Sequence, residues 1–167
     1  HGAAARPLAG GGDVFPLLLN GAAAGRSADA KVLVNLAAVP GLNRIRYERG
    51  RGLRLGAMVL VADIQGERAV RDKYRGIAQA AAEVGSPEVR RVATLGGNLC
   101  QRPRCWYYRD PEVVCRKKGG ATCYAYRGRN KYHAIIGGSG CFIVYPSDLA
   151  PALISLGAKV TVGSAAG

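Results

Sequence analysis

The spacing of apolar positions changes several times along the chain, and each change marks an element. "ARPLAGGGDVFPLLLNG" begins with a short apolar run, passes through glycines and then gathers Val14, Phe15, Leu17 and Leu18. This predicts a strand, a glycine turn and a helix beginning near Asp13, with Pro16 tolerated in the first helical turn. "KVLVNL" is almost wholly apolar and rich in valine, which predicts a buried strand. "NRIRYERGRGLRLGA" alternates apolar and basic residues around a glycine-containing turn and predicts a hairpin.

"VLVADI" predicts a short helix. In "RAVRDKYRGIAQAAAEV", residues Val70, Tyr74, Ile77, Ala78 and Ala81 fall on one helical face. "SPEVRRVA" predicts a helix capped by Ser86 with Pro87 in its first position, ended by the glycines beyond. From Cys100 to Gly140 the period disappears and Gly, Arg and Lys accumulate. Long irregular segments in compact domains tend to be functional. "CFIVY" then predicts a strand, "SDLAPALISLG" a helix starting between Ser147 and Pro151, and "AKVTV" a closing strand. No repeats, heptads or low-complexity tracts interrupt this order. The mixture implies α/β or α+β, with a small parallel unit first and a more antiparallel unit after it.

Composition narrows the function. The chain has 167 residues, enough for one sizeable domain or two small subdomains sharing a core. Its 24 Lys and Arg against 11 Asp and Glu give a net charge of +13. That excess suits a solvated basic surface, or a polyanionic partner such as nucleic acid, phosphate or a metal–sulfur cluster. No apolar run approaches the roughly 18 residues that cross a bilayer. The chain has no initiator Met and starts close to a strand, so it is expected to be a piece of a longer subunit whose leader is not legible.

"LAGGGD", between a strand and a helix, has the glycines needed to turn backbone N–H groups toward an anion. It equally suits a tight turn with no ligand. "TLGGN" repeats the idea, with Thr94 and Asn98 adding side-chain hydrogen bonds to an open backbone at Gly96 and Gly97. Two such loops could grip a pyrophosphate from two sides. The G-x-G-x-x-G fingerprint is absent, so a dinucleotide would be held in a different fold.

The five cysteines, Cys100, Cys105, Cys115, Cys123 and Cys141, all lie in the irregular segment or at its edges. Clustering with an odd count favours a metal site plus one bystander over paired disulfides. None shows the close two-residue pairing of zinc knuckles, and iron–sulfur ligand spacings vary more widely. Structural zinc or a set of buried thiols remains open on spacing alone. Arg102, Arg104, Arg109, Arg116, Lys117 and Lys118, against Asp110 and Glu112, would offset a cluster's negative charge. "RPRCWYYR" also suits stacking of Trp106, Tyr107 and Tyr108 on bases, which keeps a zinc-stabilised basic nucleic-acid-binding module as the rival reading. His133 fits a strand start better than a metal site. No Ser–His–Asp arrangement or carboxylate pair is legible, and no catalytic acid or base is expected.

"PLAGGGD", "LRLGAMVLVADI", "VATLGGNLCQRPRCWYYRDP" and "YPSDLAPALISLGAKVTV" together resemble the FAD-binding (medium) subunit of molybdenum hydroxylases. These are enzymes of the xanthine dehydrogenase, aldehyde oxidoreductase and carbon monoxide dehydrogenase type. The resemblance implies an α+β, two-subdomain FAD-binding fold of the para-cresol methylhydroxylase and vanillyl-alcohol oxidase type. Residues 1–52 would form a first subdomain and residues 53–167 a second, with a cysteine-rich insertion at about 100–141. The family's first strand and helix and its C-terminal domain would lie outside this chain. FAD is expected at Leu8, Ala9, Gly10, Gly11, Gly12 and Asp13, at Thr94, Gly96, Gly97 and Asn98, and at Ser147 and Asp148, with Asp148 accepting from ribose or ribityl hydroxyls. Gly12 stands where the family usually has Thr, and one hydroxyl contact to phosphate goes with it.

The cysteine-bearing insertion resembles the branch that includes periplasmic aldehyde oxidoreductase and 4-hydroxybenzoyl-CoA reductase. That resemblance implies a 4Fe-4S cluster on Cys105, Cys115, Cys123 and Cys141, with Cys100 a packed thiol in the flavin loop. Because the flavin loops lie outside the insertion, flavin binding is expected to survive loss of the cluster. The expected partners are a molybdopterin-binding large subunit and a 2Fe-2S small subunit, with no nucleic acid and no membrane span. The expected compartment is the bacterial cytoplasm or periplasm.

Overall fold

The computed structural model describes residues 5–19 and 31–163. His1 and the first predicted helix beyond Leu19 lie outside the described residues. The chain opens with β1 (Ala5–Leu8), α1 (Val14–Leu19) and β2 (Val32–Asn35). β1 and β2 pair in parallel, Ala5 opposite Val32 and Leu8 opposite Asn35. Parallel pairing needs a crossover, and α1 lies in it. The predicted parallel unit is therefore present. The predicted burial of β2 is not: Leu33 and Val34 are exposed. Among the described residues this sheet has only two strands, so little covers its faces.

β3 (Ile45–Glu48) and β4 (Gly52–Leu55) form the expected antiparallel hairpin, with Ile45 opposite Leu55 and Tyr47 opposite Leu53. The alternation turns Ile45, Leu53 and Leu55 toward the core. The subdomain boundary expected after residue 52 falls within this hairpin.

The core is helical. α2 (Val61–Gly66), α3 (Arg68–Lys73), α4 (Arg75–Ala82), α5 (Pro87–Arg90), α6 (Leu95–Leu99) and α8 (Leu149–Ser155) surround it, while α7 (Trp106–Arg109) lies in the cysteine-rich segment. Val59, Val61, Ile64, Val70, Ile77, Ala81 and Leu149 form its centre. At about 25 cal/mol per Å² of apolar area, each fully buried aliphatic side chain contributes roughly 1.5–3 kcal/mol.

The single helix predicted across Val70 to Ala81 is two. Tyr74 sits between α3 and α4 with φ −133° and ψ 48°. The break turns its ring edge-on to Tyr47, with centroids 6.3 Å apart. The predicted apolar face survives the break, because Val70, Ile77, Ala78 and Ala81 are all buried. α5 starts as expected: Ser86 Oγ accepts from the Val89 N–H at 3.3 Å, with Pro87 next.

Two predicted strands are irregular. In "CFIVY" the Phe142 carbonyl accepts from the Ala134 N–H at 2.8 Å, and the Tyr145 hydroxyl donates to the Leu99 carbonyl. These local bonds replace a ladder. In "AKVTV", Val160 and Val162 are exposed and no strand pairs with them among the described residues. Strand preference is realised only where cross-strand packing exists.

Candidate functional site

Two glycine segments face each other across one cavity. The first follows β1 and the second follows α5. Ala9, Gly10, Gly11, Gly12 and Asp13 line the cavity from one side, and Thr94, Gly96, Gly97 and Asn98 from the other. The cavity measures about 770 Å³. That lies within the roughly 300–1,000 Å³ of small-molecule sites. Leu17, Leu36, Met58 and Val89 supply apolar wall, and Arg102, Arg104, Lys117 and Lys118 supply positive charge.

The two segments do different things with their backbone. Among the described residues, the N–H groups of Gly10, Gly11, Gly12 and Asp13 make no hydrogen bond. Gly11 has φ 76°, a conformation that favours glycine. A Cβ on Gly10 would fall onto the Val92 carbonyl, so only glycine lets this loop lie against residues 92 and 93.

"TLGGN" is not the open turn expected. Thr94 caps α6, and its Oγ1 accepts from Gly97 N–H at 3.1 Å. Gly96 N–H donates to the Ala57 carbonyl at 2.8 Å, and Asn98 N–H to the Thr94 carbonyl at 2.8 Å. Leu95 N–H donates to the Val59 carbonyl and Val61 N–H to the Ala93 carbonyl, each at 2.9 Å. These donors are engaged within the protein. The close glycine packing instead lets α6 press against Ala57.

Leu8, Ser147 and Asp148 do not line the cavity. Ser147 is buried; its hydroxyl donates to Asn98 Oδ1 at 2.6 Å and accepts from Ala150 N–H at 3.0 Å. Leu149 N–H donates to the same Asn98 oxygen at 3.4 Å. Asn98 and Ser147 together cap α8 from α6. Asp148 is exposed at the start of α8 and makes no capping bond. Asn98→Ala is expected to destabilise the fold by about 1–3 kcal/mol, because Ser147 Oγ and Leu149 N–H would remain buried without that acceptor. Denaturant unfolding of the variant checks this.

Asp13 faces the cysteine-rich segment. Its Oδ1 accepts from Arg104 Nη1 at 2.5 Å and Arg109 Nη2 at 3.0 Å, and its Oδ2 from the Arg102 N–H at 2.7 Å. The first glycine loop is thus tied to the segment by three bonds. Two of the expected cluster-balancing cations, Arg104 and Arg109, pair with Asp13. The insertion's Arg102, Arg104, Lys117 and Lys118 also line the large cavity, so the first glycine loop and the insertion meet in the fold. Cys100 is exposed and lines it as well, rather than being packed.

Cys105, Cys115, Cys123 and Cys141 line a second, small cavity with His133, Arg116 and Lys117. Lys117 borders both cavities. Burial pushes the Cys105 thiol up, and the charges of Cys115 and Cys123 add to that. The Tyr108 and Tyr107 backbone amides pull the other way, although Cys105 makes no capping bond to α7. A metal that binds there must displace the proton. His133 is not at a strand start. Its Nε2 lies 3.1 Å from Cys105 Sγ in irregular chain. Its one sequence signal is position, as the sole histidine among the four cysteines.

The described residues do not support the zinc and nucleic-acid reading. Four thiolates on one zinc, at about 2.3 Å each, stand roughly 3.8 Å apart. Among the described residues no group of three His, Cys, Asp or Glu donors is arranged to hold a single ion. The aromatic run is also committed to the fold. Tyr108 is buried, Trp106 Nε1 donates to the Arg129 carbonyl at 3.0 Å, and Tyr107 Oη accepts from the Arg129 N–H at 2.7 Å.

A glycine loop with free amides, a second tightly packed glycine segment and a basic rim around one large cavity define an α+β nucleotide-cofactor domain. The family model described as the FAD binding domain in molybdopterin dehydrogenase matches residues 1–167, and the chain belongs to that family. It is 38% identical over 122 residues to the aldehyde oxidoreductase FAD-binding subunit PaoB of Escherichia coli K12, covering 72% of this chain and 38% of that protein. It is 32% identical over 127 residues to the nicotine 6-hydroxylase medium subunit of Paenarthrobacter nicotinovorans, covering 76% of this chain and 42% of that protein. The chain thus spans about two-fifths of the length of these relatives.

Among solved structures, carbon monoxide dehydrogenase from Hydrogenophaga pseudoflava matches with a TM-score of 0.51 and 32% identity, over 58% of this chain and 32% of that one. Quinoline 2-oxidoreductase from Pseudomonas putida 86 matches with a TM-score of 0.52 and 32% identity, over 59% of this chain and 32% of that one. Among the described residues no helix is long and apolar enough to cross a membrane.

Proposed function

We propose that this chain is the flavin-holding part of an electron-transfer subunit in a molybdenum-dependent hydroxylase or dehydrogenase. The observation that carries the reading is the cavity of about 770 Å³ whose wall combines unbonded amides at Gly10–Asp13 with the cations of the cysteine-rich segment. Those groups match the anionic pyrophosphate of FAD, and the apolar wall matches its rings. FAD, when bound, supplies one- and two-electron redox chemistry. The chain's residues hold and orient it: the first loop receives phosphate, α6 and Asn98 fix the opposite wall, and Arg102, Arg104, Lys117 and Lys118 balance charge. Ser147 acts from behind that wall through its hydrogen bond to Asn98, while Asp148 stands exposed at the start of α8.

The partners in this reading are a molybdopterin-binding large subunit, where substrate is oxidised, and a small subunit with 2Fe-2S clusters that relays electrons here. The relatives' names, a FAD-binding subunit and a medium subunit, support such an assembly. An external acceptor takes the electrons onward. The test is the flavin content of the full-length protein: one FAD per chain supports the reading, and a protein that takes up no FAD on reconstitution sinks it.

The second cofactor in this reading is a 4Fe-4S cluster on Cys105, Cys115, Cys123 and Cys141. Four thiols lining one cavity beside Arg116 and Lys117 are the donor chemistry such a cluster would take, and the four cysteines would hold it there. Each single Cys→Ser change at these four positions is expected to remove most iron and acid-labile sulfide. Each is also expected to weaken flavin binding, because the segment reaches the cavity. Cys100→Ser is expected to keep the full iron complement. Full iron in Cys141→Ser with loss in Cys100→Ser would reverse the assignment.

A further inference from the structure

We propose that His133 donates a hydrogen bond from Nε2 to the Cys105 thiolate and thereby raises the reduction potential of the cluster, an inference that rests on the cluster assignment above. Nε2 lies 3.1 Å from Cys105 Sγ, among the described residues the only contact that joins a side chain of another type to one of the four thiols by a polar bond. The ring is 9% exposed. Trp106 lies edge-on to it at 5.5 Å and Tyr107 is tilted 44° to it at 6.4 Å, so its orientation is held by packing. The backbone is held too: His133 N–H donates to the Asn130 carbonyl at 2.9 Å, and Ala134 N–H to the Phe142 carbonyl at 2.8 Å.

The other ring nitrogen selects the tautomer. Nδ1 is buried and has no partner among the described residues. A proton there would be a buried donor with no acceptor. With the proton on Nε2, only an acceptor lone pair at Nδ1 goes unused, which native interiors tolerate better. The Nε2–H tautomer therefore faces the sulfur as a donor. A donor on a thiolate withdraws negative charge from the cluster. The reduced state carries one more electron and gains more from that withdrawal, so the potential rises. His133 acts through Cys105 and is a positioning and tuning residue, not a ligand.

The experiment compares wild-type, H133F and H133Q full-length holoprotein. Iron and sulfide per chain, midpoint potential by EPR-monitored titration, and nitrogen hyperfine coupling by pulsed EPR are measured on each. Equal iron and sulfide are expected in all three. H133F should shift the one-electron equilibrium toward the oxidised form about tenfold, a fall of about 59 mV. H133Q, which keeps an amide donor, should recover part of the shift. A weak nitrogen coupling should be present in wild type and lost in H133F. Full iron with an unchanged potential in H133F overturns the hydrogen bond and leaves the cluster standing. Strong nitrogen coupling in wild type, with iron lost from both variants, makes His133 a ligand and overturns the proposal. Wild-type protein with no iron or sulfide overturns the cluster assignment and this inference with it. Where H133F does not fold, the wild-type coupling and the H133Q potential decide.

Discussion

Asp13→Ala is expected to release flavin and loosen the cysteine-rich segment in one step. The Asp13 carboxylate is only 13% exposed, and it accepts three hydrogen bonds from residues 102, 104 and 109. Hydrogen bonds to a charged group contribute about 1.5–3 kcal/mol where they are shielded from water. Two opposing effects follow from removing it. Arg104 and Arg109 become free to attract phosphate, which favours flavin. The loop that carries the unbonded amides loses its only side-chain tie to the segment, which disfavours it. Arg104 is nearly half exposed, so its freed charge contributes less than about 1 kcal/mol. The structural loss wins, and flavin affinity should fall by up to roughly a hundredfold, about 2–3 kcal/mol. Asp13→Asn keeps an acceptor oxygen and should fall between. Flavin retained after gel filtration and protease cleavage within residues 100–141 are the two readouts. Unchanged or tighter flavin with a protease-resistant segment would show that Asp13 is not the link.

That linkage also marks what the sequence could convey. Local pattern carried the strand–helix–strand start, the hairpin, the Ser86–Pro87 helix start and the apolar face from Val70 to Ala81. Each depends on neighbours a few residues apart. The break at Tyr74 leaves the apolar period on both sides intact, so periodicity passed over it. The strands read into "CFIVY" and "AKVTV" needed cross-strand partners, and propensity does not supply them.

Glycine content marked two segments that the fold brings to one cavity, but not their different use of hydrogen bonds. The donors at 95–98 are taken by residues 57, 59 and 94, and only the fold brings residues 57 and 59 there. The sequence places His133 at a strand start rather than beside a thiol for the same reason: its partner Cys105 is 28 residues away in sequence. Charge was legible as a total but not in direction. The six cations around the first cysteines divide between Asp13, the large cavity and the thiols, with Lys117 bordering both cavities.

Substitutions at Gly10 and Gly12 are expected to separate folding from flavin binding. The more obvious choice, Gly96→Val, does not separate them, because a Cβ on Gly96 would come within 2.9 Å of the Ala57 carbonyl oxygen. Flavin lost from that variant would report damaged packing as readily as a blocked phosphate. Gly10 is a stricter case of the same kind. A side chain there collides with the Val92 backbone, and Gly10→Val should cost about 1–3 kcal/mol or more of stability, with flavin lost as a consequence. Gly12 differs, since a Cβ there meets no protein atom within 4 Å and the residue lines the cavity. Gly12→Leu should therefore leave stability within about 0.5 kcal/mol. Flavin affinity should nevertheless fall by roughly tenfold or more, because the side chain occupies space beside the unbonded amides. Gly12→Thr, a smaller side chain that can donate a hydroxyl toward the cavity, should keep flavin. Denaturant unfolding of the cofactor-free forms and flavin titration, both on full-length protein, read the two effects apart. Gly12→Leu with wild-type flavin affinity would remove the first glycine loop from the phosphate site.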